Sequence, residues 1–253
     1  MKKNNSFQPA LTDLHTHILP AVDDGAKDLD TALEMLKLQK QSGVERVMLT
    51  PHYLLEEPTQ DFLERRQQGY EALMEQWCAE TMPQLRLGAE VRYCPQLIEA
   101  DLRSLTLGES NYLLLELPAM EVPAYLEQVL EEMRRQGITP VLAHVERCVY
   151  FRVQPERLKK LIDMGALAQI TGRVIYSRGE WNFVKACLKN GLAHIIASDL
   201  HDPEQKQCLG MTAQKMEPEL VSWTEEFAKC IWENTCPPIF SAYPVKKGFF
   251  GYY

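Results

Sequence analysis

The residues best equipped for chemistry in this 253-residue chain are six histidines and a handful of acids. Asp13-Leu14-His15-Thr16-His17 sets two imidazoles at i and i+2, and Ser198-Asp199-Leu200-His201 sets a carboxylate and an imidazole at the same spacing. In an extended strand, residues i and i+2 point to one side, so each pair can grip one cation. Taken alone, such a pair is often a surface accident, and its weight comes from its company. Val22-Asp23-Asp24-Gly25 reads as a turn or as the source of one hard oxygen ligand. Thr50-Pro51-His52 reads in isolation as loop. Gly88-Ala89-Glu90 and Leu115-Glu116-Leu117 each end an apolar run on an acid. A buried carboxylate is costly without a partner, so each calls for a metal ion or a buried Arg or Lys. Ala143-His144-Val145-Glu146-Arg147 adds an imidazole and a guanidinium three residues on. Arg147 could hold an anion that a metal also holds, or form an ordinary surface ion pair. His194 lies inside its apolar run and reads as core or as support for the site.

These residues need elements that bring them together. Short apolar runs predict seven strands: Leu11–Leu14, Val44–Thr50, Leu85–Ala89, Tyr112–Leu117, Ile138–Ala143, Leu167–Ile170 and Leu192–Ala197. Helical spacing predicts a helix from about Leu29 to Gly43, then Phe62–Glu80, Val122–Gln136, Pro155–Met164, Glu180–Asn190 and Val221–Glu233. Thr31 and Glu34 could form a capping box in the first, Pro218 sits near the start of the last, and Gly43, Gly137, Gly165 and Gly191 read as stops. Strand–helix alternation means parallel strands. Without a G-x-G-x-x-G or G-x-x-x-x-G-K-[ST] loop, a barrel fits better than a nucleotide-binding open sheet. Five of the six histidines, with Glu90, Glu116 and Asp199, fall at or just past the C-terminal end of a predicted strand. In a barrel that end carries the active site.

Composition agrees with one α/β domain over 1–253, its motifs within 11–206 and a motif-free helix and tail over 212–253. Hydrophobic residues make up 45% and charged residues 25%, enough for a single sizeable core. The net charge of −8 argues against a grip on nucleic acid. Seven cysteines without a C-x-x-C suggest free thiols in a reducing cytoplasm. No signal-peptide pattern opens the chain, and no apolar run approaches the roughly 18 residues that cross a bilayer.

Together, His15-Thr16-His17, Asp23-Asp24-Gly25, His52, Glu90, Glu116, His144-Val145-Glu146-Arg147 and Ser198-Asp199-Leu200-His201 resemble the polymerase-and-histidinol-phosphatase (PHP) superfamily. The stretches DLHTHILPAVDDG, ITPVLAHVER and HIIASDLH resemble its bacterial tyrosine-phosphatase branch. The resemblance implies a distorted (β/α)7, TIM-like barrel that hydrolyses phosphotyrosine in proteins. It implies three divalent ions, usually manganese, with iron, zinc or magnesium as alternatives. His15, His17, Glu90 and Asp199 would hold one; Glu90, Glu116 and His144 a second; Asp24, His52 and His201 the third. Other branches often carry His where this chain has Asp24 and Glu116. The branch accompanies capsule and exopolysaccharide export, so the implied partner is a membrane-associated tyrosine autokinase; self-association is left open. The family's second phosphate-binding Arg follows the last His, but here the stretch reads Asp202-Pro203-Glu204-Gln205-Lys206. Lys206 would supply a point charge without the bidentate fork.

By that reading Arg147 and Lys206 bind the phosphate, and Arg147, Asp199 and His201 serve catalysis. Three divalent ions outweigh the four carboxylates of the ligand set, so an acidic protein can present a positive pocket. Coordination lowers the pKa of water toward about 7, making a hydroxide that bridges the first two ions the expected nucleophile. Tyrosinate, with a phenol pKa of about 10, leaves with little help from an acid. The alternatives are a histidinol-phosphatase-like enzyme, which would want a closed pocket, a DNA-processing nuclease of the same superfamily, and a metal-binding regulatory domain without turnover. Cysteine chemistry is disfavoured: no cysteine has Arg six residues on, and only Cys148, beside Arg147, invites suspicion.

Overall fold

Tyr112-Leu113-Leu114-Leu115 is apolar at every position because both faces of its strand are covered. Leu113 and Leu115 pack outward against helices, whereas Tyr112 and Leu114 face a second, inner cluster. The same two-sided burial shapes the sheet in the computed structural model, which describes residues 10–204, 208–248 and 251–252. The strands are β1 (Leu11–Thr16), β2 (Val44–Leu49), β3 (His52–Tyr53), β4 (Gln84–Leu87), β5 (Glu90–Arg92), β6 (Tyr112–Glu116), β7 (Thr139–Leu142), β8 (Leu167–Thr171) and β9 (Ile195–Ala197). They pair in parallel as β1-β2-β4 and β3-β5-β6-β7-β8-β9. Backbone bonds from Gly88 N to Leu49 O (2.8 Å) and Glu90 N to Pro51 O (3.0 Å) stitch the two sheets. At the other margin His17 N donates to Leu200 O and Asp199 N to His15 O, both at 2.9 Å. The result is one curled, parallel, mixed α/β arrangement.

Two predicted strands end slightly early, and each is followed by a short strand that was not predicted. Val44–Thr50 ends at Leu49 and resumes at His52, because Pro51 has no N–H for the ladder. Leu85–Ala89 ends at Leu87 and resumes at Glu90; a Cβ on the intervening Gly88 would lie 2.9 Å from the Leu107 side chain. Leu192–Ala197 shortens to Ile195–Ala197.

The helices are α1 (Leu29–Gln41), α2 (Thr59–Met74), α3 (Leu126–Arg135), α4 (Val149–Val153), α5 (Pro155–Asp163), α6 (Arg178–Lys189), α7 (Leu209–Ala213) and α8 (Pro218–Glu233), and a short hairpin pairs Lys247–Gly248 with Gly251–Tyr252. The predicted glycine stops take left-handed backbone, with φ of 98°, 79°, 97° and 67° at Gly43, Gly137, Gly165 and Gly191. The capping box does not form: Asp28 caps α1, accepting from Thr31 N at 2.9 Å. Pro218 does open α8. Helix α2 is shorter than expected, and α3 starts late because Tyr125 is left-handed (φ 60°).

Phe227, Ala228, Ile231 and Trp232 of α8 meet Leu14, Met48, Leu114, Val141 and Ile195 in the inner cluster, filling the interior with apolar groups. His194 belongs there too, its ring centroid 4.5 Å from Phe240 and 5.0 Å from Phe227. Burial pushes its pKa down to about 3, so it stays neutral.

Candidate metal centre

Residues that follow the C-terminal ends of the parallel strands converge on one mouth of the sheet. His15 is the penultimate residue of β1, where the register with β2 breaks between Asp13 and Thr16, and His17 follows the strand's last residue. Glu116 has the inward parity of Tyr112 and Leu114, one step further along β6. His144 and Asp199, just beyond β7 and β9, both have left-handed backbone, with φ of 31° and 54°. Two non-glycine residues in that region are strained, and such strain gathers at functional sites.

Glu90 is the hub. Its Oε2 lies 3.1 Å from His15 Nε2, 3.3 Å from His17 Nε2 and 3.0 Å from His52 Nδ1. Its Oε1 lies 2.9 Å from His144 Nε2, and Glu116 stands 3.8 Å from the same nitrogen. Asp199 Oδ1 is 3.3 Å from His15, 3.4 Å from His17 and 3.6 Å from His201. Asp24, largely exposed, faces His52 at 3.4 Å and His201 at 3.6 Å. Arg147 pairs with the other oxygen of Asp199 and reaches Thr171 Oγ1 at 3.4 Å. Thus ten of the eleven candidate residues form one connected cluster; Lys206 lies outside the described residues.

The donor set fits divalent cations. Ligand atoms lie within 4.8 Å of one another in three groups: His17, Asp24, His52 and His201; His15, His17 and Asp199; and His52, Glu90 and Glu116. The grouping differs from the expected one: His17 and His52 each join two groups, Glu90 falls with His52 and Glu116 but not with His15, His17 and Asp199, and His144 falls in none of the three. For His52 the reason is geometric: its two nitrogens face different acids. A sharper observation concerns His15 and His17, whose Nε2 atoms are 3.1 Å apart. The far nitrogen of each ring meets an acceptor oxygen, Gln169 Oε1 at 3.2 Å and Asp23 Oδ2 at 2.7 Å. Each far nitrogen therefore carries a proton, which leaves the two facing Nε2 atoms as the place that a shared cation, or a further proton, can take. Glu90 Oε2 is likewise buried without a hydrogen bond.

Electrostatics repeat the pattern. Burial alone would push the Glu90 carboxyl up, yet neighbouring His15 and the hydrogen bond from His144 hold it well below the ordinary range. Asp199, also buried, is held low by His15, His17 and Arg147. Burial works against charge on His17, but its bonds to Asp199 and Asp23 raise its pKa. These carboxylates stay ionised and demand cationic partners; protons and metal ions compete for that place.

A capsular polysaccharide synthesis family, CpsB/CapC, matches residues 11–224. The chain belongs to the CpsB/CapC family. It is similar to CapC of Staphylococcus aureus (35% identity, covering 76% of this chain and 77% of that one). It is also similar to the tyrosine-protein phosphatase YwqE of Bacillus subtilis (32%; 76% and 78%) and the tyrosine-protein phosphatase CpsB of Streptococcus pneumoniae (28%; 81% and 90%). A crystal structure from work on YwqE and CpsB, described as unique metal-dependent tyrosine phosphatases, superposes with a TM-score of 0.81 at 28% identity, over 93% of this chain and 100% of the other.

Several residues of the site escape sequence reading. Asp23 orients His17 and accepts from His52 N at 3.0 Å, so the acidic pair divides into a support and a ligand-type residue. Gln169 and Glu146 are both buried beside the cluster, Glu146 accepting from Thr171 N at 3.1 Å. A polar residue inside an apolar strand, as Gln169 is in Leu-Ala-Gln-Ile-Thr, was the available signal. Cys148 is buried and its thiol is pushed up to about 11, mainly by burial, which is the reverse of what a thiolate nucleophile needs.

Proposed function

We propose that this chain is a metal-dependent protein-tyrosine phosphatase acting in capsule or exopolysaccharide synthesis. The observation that carries the reading is the convergence of nine ligand-type side chains, with Arg147, on one mouth. Three divalent ions, normally manganese, would be held by His15, His17, Glu90 and Asp199, by Glu90, Glu116 and His144, and by Asp24, His52 and His201. When bound, such ions supply an acidified water and neutralise phosphoryl charge. Arg147 supplies a fixed guanidinium for the phosphoryl oxygens, kept in place by Asp199. His201, partly exposed, has Nδ1 3.0 Å from the Asp199 carbonyl, which turns its Nε2 toward Asp24 and the third ion at the open side of the mouth. Lys206 would add a second positive contact.

The mouth favours a protein substrate over a small molecule. His52, Glu116, Arg147 and His201 are all partly exposed, and Asp24 is open to solvent. Beside His201 a groove of about 500 Å³, lined also by Lys27, Thr31 and Glu34, offers room for residues flanking a phosphotyrosine. A histidinol-phosphatase-like pocket would close over its substrate. The natural substrate would be a membrane-associated tyrosine autokinase met from the cytoplasm; no helix among the described residues is long and apolar enough to cross a membrane. The scaffold would be a single domain with a distorted (β/α)7 barrel, a reading supported by the strand count when β2–β3 and β4–β5 are each taken as one interrupted strand.

Turnover of a phosphotyrosine peptide, a phosphoserine peptide and histidinol phosphate, compared with manganese supplied, tests the reading. The phosphotyrosine peptide is expected to have the highest kcat/KM. Preference for histidinol phosphate would replace this reading with the small-molecule one.

A further inference from the structure

Gln169 is wholly buried in β8 and touches the metal centre without offering a charged ligand. Its Oε1 accepts from the His144 backbone N–H at 2.8 Å, and its Nε2 donates to the Ile170 carbonyl at 2.7 Å. An amide side chain can usually be turned end for end without visible difference, but not here. A backbone N–H can only donate and a carbonyl can only accept, so these two partners fix which end is oxygen. The same oxygen lies 3.2 Å from His15 Nδ1. That nitrogen must therefore carry a proton, so in the neutral ring it is Nε2 that keeps the lone pair, on the side facing Glu90 and Asp199. The other bond anchors His144 at its left-handed backbone (φ 31°, ψ 53°), from which its ring reaches Glu90 Oε1.

We propose that Gln169 is a positioning residue whose single carbonyl oxygen sets the tautomer of His15 and the backbone of His144, presenting both rings to the two oxygens of Glu90. One neutral side chain thereby ties together ligands of two ions, at no cost in buried charge. The inference rests on the metal-dependent reading above. A residue that merely filled space would give neither histidine a preferred state.

Gln169→Leu keeps the approximate volume and removes the acceptor. Manganese affinity, measured by competition with a chelating dye, is expected to fall about 10- to 100-fold, the usual effect of losing a partner of a metal-bound imidazole. Gln169→Glu keeps an acceptor for both N–H groups and should bind manganese far more tightly than Gln169→Leu. Parental affinity in Gln169→Leu overturns the proposal, as does an equal loss in both variants. Should Gln169→Leu not fold, the parent decides: nitrogen-15 spectra of the zinc-loaded protein should show His15 protonated at Nδ1, and protonation at Nε2 overturns the proposal. A parent chain that binds no manganese at all would instead sink the metal-dependent reading, and this inference with it.

Discussion

Arg147 and Asp199 form an ion pair at the edge of a carboxylate cluster. Arg147 sits among ligand-type residues but donates rather than accepts, so it can hold an anion and cannot hold a metal. Arg147→Ala should keep its metal content while raising KM, lowering kcat, or both; unchanged kinetics would return Arg147 to a structural ion pair. Glu90 and Asp24 give a second contrast. Glu90 is buried and ringed by His15, His17, His52 and His144, whereas the Asp24 side chain is 72% exposed and faces two rings. Metal analysis should therefore show a deeper loss in Glu90→Gln than in Asp24→Asn, and the reverse order would contradict the hub. Cys148, buried with a raised pKa, can be removed at little cost to chemistry. Cys148→Ser should retain most turnover, and a dead variant with intact fold and metal content would point to a thiolate mechanism.

At the scale of elements, the loop Val22–Gly25 shows how tightly the mouth is built. A Cβ on Gly25 would lie 1.9 Å from the His17 carbonyl oxygen, which Ala26 N already engages. Gly25→Ala must push the loop off β1 and carry Asp23 and Asp24 with it, so lower stability and lower metal content should appear together. Phe227→Ala probes the apolar interior instead. Removing this fully buried ring should cost about 3–5 kcal/mol, read as a lower urea midpoint at unchanged slope. Its folded fraction should still bind metal. Much of this architecture was legible because it follows from local rules: apolar runs buried on both faces, glycines that end helices, histidines after strands. What stayed hidden depends on partners distant in sequence. Pro51 and Gly88 interrupt strands whose composition is continuous. The division of labour between Asp23 and Asp24 follows from where His17 and His52 lie. Gln169 acquires its role only when β8 is laid beside His15 and His144.

For the whole molecule, the sheet has a polar, ionised mouth and an apolar interior that α8 helps to fill. Glu225 of α8 joins the helix to β1, accepting from Thr12 N at 2.9 Å and Thr12 Oγ1 at 2.7 Å. Burial raises its pKa from the ordinary 4.5 to about 7, against the lowering effect of the Thr12 bonds. The folded state thus holds a proton that the unfolded chain has released, so this group's contribution is full below about pH 4.5 and is lost as pH rises through about 7. Glu225→Gln should flatten the decline in stability over that window, measured by urea unfolding at several pH values; an unchanged slope would mean that Glu225 is ionised in the folded state. The central claim, that catalysis belongs to the histidine–carboxylate mouth and its ions, is tested most directly by one titration. Protein stripped by a chelator should not hydrolyse a phosphotyrosine peptide, and adding manganese back should restore turnover in step with the metal bound. Full activity in the stripped protein, or restored metal without restored turnover, would contradict it.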